Sequence, residues 1–115
     1  MAKQQPEFCG LGPAFQVIGG KWKAYILWLV RNEPRRFGEL RRLVPEISEK
    51  VLIQQLREME ADGIVHRKVF HEVPPRVEYS ATELGASLDD ALVSLAKWGE
   101  EHGGKLEALR AGAKK

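Results

Sequence analysis

Side chains that can bind phosphates or the edges of bases recur within residues 48–62: Ser48, Lys50, Ile53, Gln54 and Arg57. Lysine and serine suit phosphate or guanine, glutamine suits adenine, arginine suits guanine or phosphate, and isoleucine can contact the methyl group of thymine. The set predicts a surface that reads the bases of double-stranded DNA. As alternatives, Gln54 and Arg57 can be ordinary exposed helix surface, and Ile53 can belong to the core.

Positive charge is concentrated beside this segment. Residues 31–42 contain five arginines, Arg36 among them, against two glutamates, whereas residues 83–101 contain five acidic side chains and only Lys97. Phosphates attract the first stretch and repel the second. The pattern predicts that DNA lies against the basic stretch and that residues 83–101 face away from it. The alternative for the basic run is a solvated face that only balances charge.

A second basic stretch surrounds a pair of prolines: Arg67, Lys68, Pro74, Pro75 and Arg76. Proline has a fixed φ angle, so two prolines stiffen a turn and reduce the entropy that is lost on docking. We expect this tip, about residues 71–76, to contact the DNA backbone or minor groove through Arg76. The alternative for Arg76 is a salt bridge to Glu72 or Glu78.

Motifs of catalysis and of metal binding are not found in the sequence. The three histidines, at positions 66, 71 and 102, are scattered, and no HExxH, GxSxG or GxxxxGK[ST] motif occurs. A single cysteine, Cys9, cannot form a disulfide within the chain or a cysteine-based zinc site, and it agrees with a reducing compartment. We therefore expect neither an enzyme nor a bound metal or cofactor.

The composition predicts one compact domain. The chain has 115 residues, of which 43% are hydrophobic and 30% charged, with a formal net charge of +2; the mass is 13.0 kDa and the mean hydropathy −0.33. The longest apolar stretch, residues 24–30, is too short to span a bilayer, and residues 1–7 lack the apolar run of a secretory signal. We expect a cytoplasmic protein with an N-terminal arm at 1–8, a domain at 9–102 and a helical or frayed tail at 103–115.

The hydrophobic pattern predicts helices first. A short helix opens at Pro13 and ends at the two glycines 19 and 20, and a second, about residues 21–32, is apolar on nearly every face and therefore buried. A brief extended piece at 35–37 precedes a third helix at about 38–44. Ser48 can cap a fourth helix that ends before Gly63 and carries an apolar stripe of Leu52, Leu56 and Met59.

After Gly63 the period changes to that of strands, with residues 64–71 and 76–80 predicted as an antiparallel hairpin. Thr82, or Ser80 paired with Glu83, can cap a last helix whose apolar face runs over about four turns. The fold class expected is mainly α with a small antiparallel β-hairpin, in the order of a winged helix-turn-helix.

Residues 9–102 resemble the HxlR-type winged helix-turn-helix transcriptional regulators, relatives of the MarR class. The resemblance rests on VIGGKW at 17–22, RFGEL at 36–40, ISEKVL at 47–52 and, above all, EVPPRVEYSATELG at 72–85. It implies a homodimeric repressor or activator with its fourth helix in the major groove and its wing on the neighbouring backbone. Gly38 stands where such proteins often have a capping serine, so a weaker helix cap is expected there.

Some regulators of this type use a cysteine at the position of Cys9 to sense oxidants or electrophiles, so the resemblance implies a redox switch. A thiol just before a helix N-terminus lies in a positive potential that favours the reactive thiolate. Gly10-Leu11-Gly12-Pro13 replaces the immediate proline of the family, so the surroundings of the thiol can differ. The alternative for Cys9 is a small buried hydrophobic side chain packed against Phe8 or Phe15.

The apolar face of the last helix needs a partner, which predicts a dimer with the first helix joining: Phe15, Leu88, Leu92, Leu95 and Trp98. The alternative is packing of this face on the second helix. A two-fold dimer places two recognition helices about 34 Å apart and requires a pseudo-palindromic operator. A small molecule or an oxidant is the expected effector. The alternative function is a protein-association module with only non-specific nucleic-acid binding.

Overall fold

The computed structural model describes residues 9–113. In chain order its elements are α1 (Leu11–Ile18), α2 (Lys23–Val30), β1 (Arg35–Arg36), α3 (Phe37–Leu43), α4 (Glu49–Ala61), β2 (Val65–Phe70), β3 (Arg76–Ala81), α5 (Glu83–Ser87) and α6 (Asp89–Ala113). The mainly helical fold with an antiparallel hairpin after a helix-turn-helix is confirmed. Each of the helices predicted at 21–32 and 38–44 begins or ends one to two residues away from the expected position.

The sheet has three antiparallel strands in the order β1-β3-β2, one more than the predicted hairpin. Val65 pairs with Ala81 and Phe70 with Arg76, which confirms the hairpin, while Arg35 pairs with Tyr79 on the other edge of β3. The extended piece before α3 becomes a strand because the exposed edge of β3 supplies hydrogen-bond partners for its backbone.

One apolar core lies between α2, α3, α4, the start of β2 and the beginning of α6. Its fully buried members are Ile26, Leu27, Leu40, Leu52, Leu56, Met59, Ile64, Val30 and Val65. The predicted stripe of α4 is therefore confirmed. The predicted burial of α2 holds for Ile26, Leu27 and Val30 but not for its whole surface, because Tyr25 is exposed and Trp28 only partly buried.

The two helices of the helix-turn-helix begin with different caps. The hydroxyl of Ser48 accepts a hydrogen bond from the Val51 N–H at 3.1 Å, so the predicted cap of α4 is confirmed. At α3 the Glu39 carboxylate accepts from the Arg36 N–H at 2.8 Å. Gly38 lies inside the first turn and Arg36 is the cap residue; its side chain makes no capping hydrogen bond, so α3 lacks the side-chain cap that Ser48 gives to α4. Gly63 ends α4 with a φ of +77°, a conformation that favours glycine.

The predicted last helix is two helices, with a break at Leu88. Thr82 caps α5, accepting from the Gly85 N–H at 2.9 Å and donating to the Gly63 carbonyl at 2.6 Å. A side chain at position 85 would overlap the carbonyl oxygen of Ile64, so α5 packs directly on the backbone before β2. This close packing holds α5 against the core, and α5 ends at Ser87, one residue before α6 begins.

After the break, α6 runs for 25 residues to Ala113 without an interruption at residue 102. The tail therefore extends the helix, at least as far as the structure describes it. At 1.5 Å per residue α6 is about 37 Å long, and the molecule measures 54 × 37 × 25 Å. Within residues 9–113, no helix combines the length and apolar character needed to cross a membrane.

Candidate nucleic-acid interface

The outer face of α4 brings together most of the predicted base-reading residues. A shallow groove along this face is lined by Glu49, Lys50, Ile53, Gln54, Arg57 and Glu58. Lys50, Gln54 and Arg57 are exposed and Ile53 is half-buried. The opposite face of the helix carries the buried leucines, so packing in the core fixes which side chains point outward. Ser48 lies at the helix start, where its O–H remains a donor for a phosphate.

The basic side chains of residues 31–42 and those around α4 fall into two groups, according to whether a carboxylate lies close enough to form a salt bridge. Arg31 pairs with Asp89 at 3.3 Å, Arg41 with Glu49 at 3.1 Å, and Arg35 with Glu33 at 3.9 Å. By contrast, several basic side chains around α4 have no carboxylate within 4 Å among residues 9–113: Arg36, Arg42, Lys50, Arg57, Arg67 and Lys68. This second group can neutralise phosphates without first losing an internal partner.

Arg76 is held inside the wing. Its guanidinium forms salt bridges with Glu72, at 3.3 Å, and with Glu78. The same group lies 3.7 Å from the ring centre of Phe70. The hydrogen bond to Glu72 raises the pKa of Arg76 above its ordinary value. The alternative proposed for Arg76, a salt bridge to Glu72 or Glu78, is therefore correct for both carboxylates. A phosphate would have to displace these salt bridges to bind Arg76. The two prolines of the tip are exposed.

A link between α2 and α4 was not predicted from the sequence. The Lys23 ammonium lies 2.6 Å from one oxygen of Glu58, and the Gln54 amide donates to the other oxygen at 3.2 Å. The hydrogen bond from Lys23, followed by that from Gln54, lowers the pKa of the Glu58 carboxyl. The spacing of Gln54 and Glu58 by four residues on a helix could have indicated their contact. Nothing local in the sequence places Lys23 against them.

The predicted dimer face is divided by the core. Leu92 is only 4% exposed and belongs to the core, and Leu88 is partly buried against it, so the packing alternative is correct for these two side chains. Phe15, Leu95 and Trp98 are 62%, 60% and 52% exposed. The face does not form one exposed stripe, because Leu92 in the first turn of α6 packs in the core while Leu95 and Trp98 lie further along the helix. What remains exposed is an apolar surface on α1 and the middle of α6.

A groove of about 510 Å³ separates α2 from α6, with Tyr25 and Trp28 on one wall and Leu95, Ala96 and Gly99 on the other. The only cysteine, Cys9, lies just before the Gly10 cap of α1 and is partly buried. Phe8, one of its two expected neighbours, lies outside the described residues. Among residues 9–113, no group of three or more histidine, cysteine or acidic side chains could hold a metal ion.

A capped helix with a polar outer face, joined by a turn to a shorter helix and followed by a basic hairpin, defines a winged helix-turn-helix transcriptional regulator. Residues 17–107 match the HxlR-like helix-turn-helix family, and the chain belongs to that family. The resemblance seen in the sequence motifs is thereby confirmed.

Relatives and solved structures agree with this assignment. The HTH-type transcriptional regulator YkvN of Bacillus subtilis is 53% identical over 91 residues, which are 79% of this chain and 77% of YkvN. The redox regulator HypR in its reduced form is 45% identical with a TM-score of 0.82, and the match covers 87% of this chain and 99% of HypR. Reduced YodB from B. subtilis is 33% identical with a TM-score of 0.72, over 82% and 93% of the two chains. Oxidised HypR and diamide-treated YodB also match.

Proposed function

We propose that this regulator binds its operator with α4 in the major groove and with β2 and the hairpin tip against the adjacent backbone. The observation that carries the proposal is the outer face of α4, where Lys50 and Arg57 have no carboxylate partner among residues 9–113 and flank Gln54. The major groove admits an α-helix and presents a different donor and acceptor pattern for each base pair. Arg67, Lys68 and Arg36 supply phosphate contacts, and Arg76 braces the wing.

The working unit in this proposal is a homodimer. Phe15, Leu95 and Trp98 are large apolar side chains that a second copy would cover. Two-fold symmetry then presents two α4 helices to successive turns of the major groove, about 34 Å apart. The operator is accordingly pseudo-palindromic.

Gln54→Ala and Arg57→Ala test the assignment of α4. Each variant should lose on the order of 1–3 kcal/mol of specific affinity and relax the preference at one base pair, because a base-edge contact is removed. Selection of bound sequences from random DNA, followed by titration of single-base operator variants, measures both effects. The folding of both variants should be unchanged, since both side chains are exposed.

Arg110→Ala is the matched control, because it removes an exposed arginine from the far end of α6. It should leave base preferences as they are. Wild-type preferences in both α4 variants would mean that α4 does not read the bases. Binding that is sequence-blind and abolished by excess competitor DNA would favour the protein-association module instead.

The signal proposed for this regulator is oxidation of Cys9. The similarity to HypR and YodB supports it, because HypR is described as a redox regulator and YodB has been captured after diamide treatment. Two Cys9 thiols from two protomers, or Cys9 and a small thiol, form a disulfide by giving two electrons and two protons to the oxidant. With diamide, the azo group is reduced to a hydrazine.

Treatment of wild type with diamide should change operator affinity and yield a dimer band on a non-reducing gel, or a mixed disulfide when glutathione is present. Cys9→Ser should show neither change, because it keeps the size of the side chain but has no thiol. Dithiothreitol should restore the wild-type behaviour. If the wild-type affinity is insensitive to diamide and the folded protein resists thiol labelling, Cys9 is a structural side chain and the signal enters elsewhere.

A further inference from the structure

We propose that Glu58 is a positioning residue for base recognition: held by Lys23, it fixes the orientation of the Gln54 amide on the outer face of α4. The proposal rests on the proposed function, since it assumes that α4 reads the bases. It assigns a role in specificity to two side chains that do not themselves need to contact DNA.

Lys23 is the fixed end of this arrangement. It is the first residue of α2 and only 8% exposed, an unusual position for a lysine. A buried ammonium requires a charged or hydrogen-bonding partner, and within residues 9–113 the carboxylate paired with Lys23 is that of Glu58, at 2.6 Å. Since α2 belongs to the core, Lys23 holds the Glu58 side chain in one position.

The two oxygens of Glu58 have separate partners. One oxygen accepts from Lys23 and the other accepts from the Gln54 amide nitrogen at 3.2 Å. A carboxylate can only accept hydrogen bonds, so the amide of Gln54 must direct its nitrogen, and not its oxygen, towards Glu58. Because Lys23 and Gln54 both lower the pKa of the Glu58 carboxyl, it stays ionised at neutral pH.

The contact with Glu58 determines which atoms of the Gln54 amide are still free to bind DNA. Its amide oxygen and its second N–H remain available, and this acceptor–donor pair is what adenine requires at N6 and N7. A glutamine that is already oriented loses less rotamer freedom on binding than a free one. The arrangement therefore favours adenine opposite Gln54 and disfavours the flipped amide.

Two variants separate positioning from simple electrostatics, because they change the charge in opposite directions. Glu58→Ala removes a negative charge near DNA, and Lys23→Met removes a positive one. Electrostatics alone would raise overall affinity in the first and lower it in the second. Positioning predicts that both lower discrimination at the same base pair, by about fivefold to tenfold, as judged from the value of one bidentate contact.

Glu60→Ala is the matched charge control, since Glu60 is exposed on the same helix. It should alter overall affinity without altering any base preference. In a Gln54→Ala background, Glu58→Ala and Lys23→Met should have no further effect on discrimination at that position. Binding is measured with the full-length protein on an operator and its single-base variants, and circular dichroism establishes that each variant is folded.

The outcomes are distinct. If Gln54→Ala changes a preference and Glu58→Ala does not, the positioning role is overturned while the proposed function stands. If Gln54→Ala changes no preference, the positioning role is overturned, and the proposed function falls with it only if Arg57→Ala changes no preference either. If Lys23→Met fails to fold, Glu58→Ala and its combination with Gln54→Ala still decide the question, because Glu58 is on the helix surface.

Discussion

Leu95→Glu is expected to yield a folded monomer that binds its operator poorly. The Leu95 side chain is largely exposed, so the core tolerates the change, but in the proposed dimer the new carboxylate would be buried without a partner. Such a burial costs several kcal/mol, and dimer affinity should fall by at least about 100-fold. Sedimentation at micromolar concentration would reveal the monomer, and titration of the operator would reveal the loss of paired half-site binding.

Lys97→Glu is the control, because it places the same carboxylate on an exposed position of α6 two residues away. It should leave the dimer intact. A Leu95→Glu protein that still sediments as a dimer would move the interface to another surface.

Leu92→Glu, three residues earlier on α6, is expected to unfold the protein instead of dividing the dimer. The sequence pattern assigned both leucines to one seam, but Leu92 lies in the core of the single chain. A charge buried there has no partner, so the free energy of unfolding should fall by about 4 kcal/mol or more, a large part of the stability of a small domain. Urea denaturation followed by circular dichroism measures the change.

Leu92→Met should keep the fold, since it nearly conserves the volume and costs less than about 1.5 kcal/mol. A soluble, folded monomer of Leu92→Glu with wild-type stability would contradict the position of Leu92 in the core. The pair of variants at 92 and 95 thus separates the fold of one chain from the contact between two.

Local signals explain what could be predicted from the sequence. The Ser48 cap, the apolar stripe of α4 and the proline turn of the hairpin each act within a few residues, so their structures follow from nearby chemistry. The buried leucines of α4 also determine which of its side chains are exposed, because the helical period places the remaining residues on the opposite face. The sequence alone therefore predicts that the base-reading candidates lie together on one face.

Contacts between distant segments explain what could not be predicted. The pairing of Arg35 with Tyr79 makes β1 a strand, Gly85 packs against the backbone of Ile64, and Lys23 reaches Glu58 from another helix. None of these contacts leaves a local pattern. For Arg76, Glu72 and Glu78 were predicted as alternative partners, whereas the structure pairs Arg76 with both.

The break at Leu88 leaves α6 as a separate long helix that is held at its first turn. Asp89 pairs with Arg31 and Leu92 lies in the core, so both side chains hold the first turn of α6. The α2–α6 groove lies along the part of α6 that follows, and this part of the helix is about 31 Å long. A swing of roughly 10° at the anchored end carries the far end through about 5 Å, by the geometry of a helix of that length. In a dimer joined through α6, a small change in the angle of α6 would therefore change the distance between the two α4 helices. Only one such distance matches the helical repeat of DNA.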